Sequence, residues 1–89
     1  MMMAPFVLEV RTLTGALRHI NDMTADSTLA QLAASISIAM DVPVSLLRLI
    51  ANHEIIFNPR PRDDVRAPTT TLRAAGLVAG SIVHMVYAL

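Results

Sequence analysis

The stretch Val10-Arg11-Thr12-Leu13-Thr14-Gly15 decides the fold, because a strand pattern runs directly into a turn. Apolar residues alternate from Phe6 onward, with Phe6, Leu8 and Val10 on one face, which predicts a half-buried strand over residues 6–13. Gly15 tolerates positive φ and therefore predicts a hairpin that returns through residues 16–23. The apolar residues of the return strand fall three apart, at Leu17, Ile20 and Met23, so we expect a bulge that turns all of them inward.

A helix is predicted after this hairpin. Residues 26–28 (Asp-Ser-Thr) offer oxygen atoms that cap a helix N-terminus, and Pro43 ends the segment. The apolar residues between them are spaced as on one face of an amphipathic helix: Leu29, Leu32, Ala33, Ile36 and Met40.

Two further apolar segments complete the predicted sheet. Residues 47–51 alternate, with Leu49 inward and Arg48 and Ile50 outward, and a turn near residues 52–53 leads to a short strand over residues 55–57. In the last segment, residues 82–87, the same alternation turns His84 and Val86 outward.

The length of 89 residues and the hydrophobic fraction of 54% predict one folded domain. We expect residues 1–5 to form a disordered N-terminal extension and residues 6–89 to form the domain. Residues 58–71 are rich in Pro, Arg, Asp and Thr without apolar periodicity, which predicts an inserted loop that is mobile and independent of the core.

The quoted hairpin, Arg48-Leu49-Ile50 and Ser81-Ile82-Val83-His84-Met85-Val86 resemble three strands of ubiquitin in residue type, order and spacing. The likeness covers the chain outside the insertion and is strongest to the amino-terminal ubiquitin-like domains of proteasome shuttles and chaperone adaptors, the ubiquilins and the Scythe-type protein. It implies an α+β fold of the ubiquitin-like β-grasp type, with a mixed sheet packed on one α-helix.

The resemblance also implies a binding site. Partners of this family dock on an apolar patch whose positions correspond here to Leu13, Ile50, His84 and Val86, and Arg48 and His53 flank it. The expected partners are ubiquitin-interacting helices, ubiquitin-associated domains and receptor subunits of the proteasome. We therefore expect a monomeric docking domain of a larger protein in the cytoplasm or nucleus.

Several other functions are disfavoured by composition. The net charge is zero and only 3% of the residues are aromatic, which argues against nucleic-acid binding. The apolar C-terminal stretch is shorter than the roughly twenty residues of a membrane span. The chain has no cysteine, no metal-binding His spacing, no phosphate-cradling glycine motif and no catalytic constellation, so we expect neither an enzyme nor a cofactor.

Three alternatives share the same fold. A conjugated modifier requires a Gly-Gly end, and none of the glycines is adjacent to another. A module for small GTPases adds an edge strand through basic residues of its second strand, for which Arg11 and Arg18 are the available residues. A self-assembling scaffold of the PB1 type pairs a lysine with an acidic cluster, and this chain has no lysine.

Overall fold

The computed structural model describes residues 6–59 and 67–87. The elements follow in the order β1 (Phe6–Thr12), β2 (Leu17–Met23), α1 (Leu29–Met40), a 3₁₀ turn (Val44–Leu46), β3 (Leu47–Ala51), β4 (Glu54–Phe57) and β5 (Ile82–Tyr87). The predicted extension at residues 1–5 lies outside the described residues.

The strands form one mixed sheet in the order β2-β1-β5-β3-β4. The first and last strands, β1 and β5, pair in parallel at its centre, and every other neighbouring pair is antiparallel. The helix α1 packs on one face of this sheet, as its contacts with β2, β3 and β4 show. The chain therefore has the predicted α+β architecture with the arrangement of a β-grasp fold.

The hydrophobic core fills the space between the sheet and the helix. Each strand and the helix contribute apolar residues to this layer, including Leu49 of β3 and Ile36 of α1, both fully buried. The other fully buried large side chains are Leu8, Val10, Leu29, Leu32, Leu47, Ile56, Leu72, Leu77 and Val83. No polar or charged side chain of the described residues is buried, so hydrophobic packing accounts for this layer.

The helix begins at a capping box. The Thr28 hydroxyl accepts a hydrogen bond from the Gln31 backbone N–H at 3.1 Å, and the Gln31 side chain accepts one from the Thr28 N–H at 2.8 Å. At the other end Asp41 adopts a left-handed conformation with φ 56°, the place usually taken by glycine.

The second strand shows one correction to the sequence analysis. The register between β1 and β2 shifts between Phe6 and Leu8, which confirms the predicted bulge, and Ile20 and Met23 are buried. Leu17 was expected to point inward, but it pairs with Arg11 and is 46% exposed. The bulge follows Ile20, so it cannot change the direction of Leu17, which keeps the simple alternation of the strand.

The predicted insertion shows a second correction. Residues 60–66 lie outside the described part, but Pro68 and Thr70 accept hydrogen bonds from the helix N-terminus, so the prediction of a loop independent of the core is wrong for these residues. The Leu29 and Ala30 N–H groups donate to the carbonyls of Thr70 and Pro68 at 2.9 and 3.0 Å. Helix N-termini leave such N–H groups without intrahelical partners, and these carbonyls satisfy two of them. This pairing of loop backbone with helix end has no signal in hydrophobic periodicity.

Candidate protein-docking surface

The predicted site lies on the outer face of the sheet, opposite the helix. Leu49 and Met85 point into the core, so the alternating residues of β3 and β5 point away from it. Across this strand pair Ile50 lies opposite His84, and Arg48 lies opposite Val86. Ile50 and Val86 are therefore diagonal neighbours across the strand pair, and Arg48 and His84 lie on the other diagonal.

Two depressions in the surface are each lined by some of the predicted residues. Leu13 and Val86 line a cleft of about 330 Å³ together with Met40, Val42 and Tyr87. This cleft lies between the first hairpin loop and the end of the helix, and it is mostly apolar. Leu13 is 86% exposed at its rim.

Ile50, His53 and His84 line the second depression, of about 380 Å³. Its other lining residues are Asn52, Gly80, Ser81 and Ile82. The structure thus places Arg48, Ile50, His84 and Val86 on the outer face of β3 and β5. His53 lies in the turn beside Ile50, whereas Leu13 lies in the hairpin loop, at a cleft that the end of the helix also lines.

The predicted residues differ in accessibility. Leu13, His53 and His84 are exposed, whereas Arg48, Ile50 and Val86 are half-buried by their neighbours in the sheet. A partner therefore meets Ile50 and Val86 as parts of a shallow surface, whereas Leu13 protrudes from it.

Sequence analysis missed three apolar residues of this face. Ile82 is 40% exposed on β5, Val7 is 42% exposed on β1, and the half-buried Ile55 of β4 lies directly opposite Ile50. The alternation that turns His84 and Val86 outward also turns Ile82 outward, so the signal for Ile82 was present in the sequence. The resemblance to the ubiquitin family does not include that position.

Charged groups surround the apolar residues. The Glu9 carboxylate accepts a hydrogen bond from the Arg11 Nε at 2.5 Å, and its other oxygen lies 3.9 Å from the His19 Nε2. Among the described residues the Arg48 Nε is the buried side-chain nitrogen without a hydrogen-bond partner. The Glu9 carboxylate is thus engaged within the chain, whereas the unpaired Arg48 Nε lies below the surface.

The turn between β3 and β4 bounds the second depression and has an unusual backbone. Ala51 pairs with Glu54, and the two residues between them, Asn52 and His53, have φ of 54° and 65°. Two-residue hairpins of this kind favour Asn-Gly, because glycine adopts positive φ without steric cost. Histidine occupies the glycine position here, which places an exposed imidazole beside Ile50 at a cost in backbone energy.

The described residues contain no cluster of three or more His, Asp or Glu side chains that could hold a metal ion. No helix in the described ranges is long and apolar enough to cross a membrane. Comparison of the sequence with models of known protein families and with curated proteins gave no match.

Proposed function

We propose that this chain is a ubiquitin-like docking domain that binds other proteins through the outer face of its sheet. The observation that carries the proposal is the apolar surface centred on Ile50 and flanked by Val86 and Ile82, on the face that the helix does not cover. Leu13 is exposed in the hairpin loop, next to the cleft that Val86 lines. Single exposed aliphatic residues are common, but neighbouring ones on one face mark interaction sites in folded domains.

The partners that fit this proposal are ubiquitin-interacting helices, ubiquitin-associated domains and receptor subunits of the proteasome. Support comes from the resemblance of the three strands in sequence, together with the β-grasp arrangement of the sheet and helix. A larger protein of the ubiquitin–proteasome or chaperone pathway, in the cytoplasm or nucleus, is the context in which such a domain acts.

A second candidate is a module for small GTPases. One observation favours it: β2 is an edge strand of the sheet, with Arg18 exposed, as addition of a partner strand requires. The groove between β2 and α1 carries Ile38, which is 84% exposed. The two candidates therefore use different sides of the molecule.

The test is a side-by-side binding assay with ubiquitin-interacting helices, ubiquitin-associated domains, proteasome receptor subunits and GTP-loaded small GTPases. Ile50→Ala is expected to weaken binding to one of the first three classes roughly thirtyfold, the equivalent of about 2 kcal/mol for a central interface residue. Ile38→Ala is the matched control, since it removes the same atoms from an exposed isoleucine on the helix side. A GTPase complex that is lost with Ile38→Ala and kept with Ile50→Ala would reverse the assignment.

A further inference from the structure

Several exposed apolar residues lie together at one end of the molecule. Strands β1 and β5 are parallel, so the hairpin loop after β1 and the last residue of β5 lie at the same end. The turn Val44–Leu46 is also there, because β3 begins directly after it and Leu47 pairs with Tyr87. The end of the helix completes this region, since Met40 and Val42 share a cleft with the hairpin loop. We call this region the apolar end, and its exposed large apolar residues are Leu13, Val44, Leu46 and Tyr87.

The apolar end carries very little charge. Residues 12–16, 40–47 and 85–87 contain one charged side chain, that of Asp41. The opposite end of the sheet and helix, by contrast, carries Asp22, Asp26, Glu54 and Arg73. Interfaces between proteins are usually surrounded by a polar rim, whereas the hydrocarbon of a lipid bilayer admits apolar groups and excludes charges. The composition of the apolar end therefore matches a lipid surface.

The turns at this end also satisfy backbone donors internally. In the hairpin loop the Thr12 N–H donates to the Ala16 carbonyl at 3.0 Å, and the Gly15 N–H donates to the Thr12 carbonyl at 3.1 Å. In the second turn the Leu46 N–H donates to the Pro43 carbonyl at 2.9 Å. Hydrocarbon supplies no hydrogen-bond partner, so a segment that enters it must pair its backbone groups within the protein. These donors meet that requirement.

Two side chains of the apolar end suit different depths of a bilayer. Leu13 is 86% exposed at the tip of the hairpin loop and has no polar atom in its side chain. Tyr87 is 56% exposed and combines an apolar ring with a hydroxyl group, the type of side chain that is enriched where hydrocarbon meets water. Both residues line the cleft of about 330 Å³, whose walls at Met40 and Val42 are apolar. An acyl chain can therefore contact this cleft without desolvating a charge.

We propose that the apolar end inserts into the surface of a neutral phospholipid bilayer, with Leu13 among the acyl chains and Tyr87 at the level of the headgroups. The insertion is shallow, about 5–10 Å as for other protein segments at the bilayer interface, and the binding is reversible. Anionic headgroups attract basic residues, and the charged residue of this end is the acidic Asp41, so a neutral lipid is the better partner. This surface is separate from the proposed docking surface, because Ile50 and Ile82 lie outside the apolar end.

Vesicles of phosphatidylcholine are the probe, and co-sedimentation with them measures binding. Tyr87 reports on insertion, because the chain has one Tyr and no Trp: lipids brominated in their acyl chains are expected to quench its fluorescence. Leu13→Ala is expected to lower the partition coefficient about tenfold, since it removes apolar surface that leaves water on insertion. Val78→Ala is the matched control, because Val78 is 65% exposed at the opposite end, and it is expected to change the partition coefficient less than about twofold. Thermal melting verifies that each variant folds.

The charge is tested with Asp41→Asn. Asparagine also adopts the left-handed conformation that Asp41 has at the end of the helix, so the turn is kept. Removal of the carboxylate is expected to raise the partition coefficient about threefold, because a charge near hydrocarbon is unfavourable. Addition of phosphatidylglycerol to the vesicles is expected to leave wild-type binding unchanged or weaker.

Three results would overturn membrane insertion: a wild type that does not sediment with the vesicles, Tyr87 fluorescence that brominated lipid leaves unchanged, or equal losses with Leu13→Ala and Val78→Ala. Binding that requires an anionic lipid would overturn it as well. Light scattering tests the rival occupant, since a dimer that Leu13→Ala dissociates would assign the apolar end to a second copy of the chain. Ile50→Ala is expected to bind vesicles like the wild type, so the vesicle assay and the protein-binding assay fail independently.

Discussion

The two faces of the sheet use the same strands for different purposes, and β3 shows the contrast within five residues. Leu47, Leu49 and Ala51 are at most 1% exposed, whereas Arg48 and Ile50 between them are half-buried on the outer face. The inner residues contact the helix and hold the fold together, and the outer residues form the surface that we assign to binding. Neighbouring positions in one strand should therefore affect stability and binding independently.

The largest expected effect is a difference in the free energy of unfolding between a variant of the inner face and a variant of the outer face. Leu49→Ala removes a fully buried side chain and is expected to lower the free energy of unfolding by about 2–5 kcal/mol. Ile50→Ala removes a half-buried one and is expected to cost on the order of 1 kcal/mol, because less apolar area leaves water on folding. Urea denaturation of both variants measures the difference. The reverse order would mean that the strand register is shifted by one residue.

The separation of faces was predictable because strand alternation is a local signal. In residues 47–51 and 82–87 the polar residues Arg48 and His84 mark the outward side, and the two-residue period of a strand then places Ile50 and Val86 on the same side. The helix face was predictable for the same reason, whereas the β-grasp fold class was implied by the resemblance of three strands to ubiquitin.

The remaining features depend on contacts that spacing does not encode. Leu17 is apolar at a position that the hairpin leaves exposed, and the backbone carbonyls of Pro68 and Thr70 are hydrogen-bonded to the helix N-terminus. The site was predicted only in part. Its residues on β3 and β5 follow from alternation, whereas the inclusion of Val7 and Ile55 requires the strand order and register.

The second prediction concerns the hydrogen bonds between the start of the helix and the segment that contains Pro68 and Thr70. Replacing residues 58–71 by a short Gly-Ser linker removes the acceptors of the Leu29 and Ala30 N–H groups, and we expect a loss of about 2 kcal/mol at roughly 1 kcal/mol per hydrogen bond. Replacing only residues 60–66 keeps these acceptors and should change stability little, since loop-closure entropy depends weakly on length. Thermal unfolding compares the two variants. Equal stabilities would show that the carbonyls of Pro68 and Thr70 contribute nothing measurable.

The third prediction tests the backbone beside the outer face. His53→Gly places glycine at φ 65° and should stabilise the domain by about 1 kcal/mol, because a side chain in the left-handed region is strained. Gly80→Ala is the opposite change at φ 86°, where the added carbon meets no atom within 4 Å, and should destabilise by a similar amount, also about 1 kcal/mol. Two changes of the same sign in the melting temperature would contradict the strain argument.

The central claim, that the outer face of the sheet is the docking surface, is tested most directly by NMR titration of the isotope-labelled domain with a ubiquitin-interacting helix. The account predicts that the perturbed amides cluster at residues 48–50 and 82–86, and that the exposed side of α1 around Ile38 is unaffected. Perturbation confined to the groove between β2 and α1, at residues 19–22 and 35–39, would contradict it.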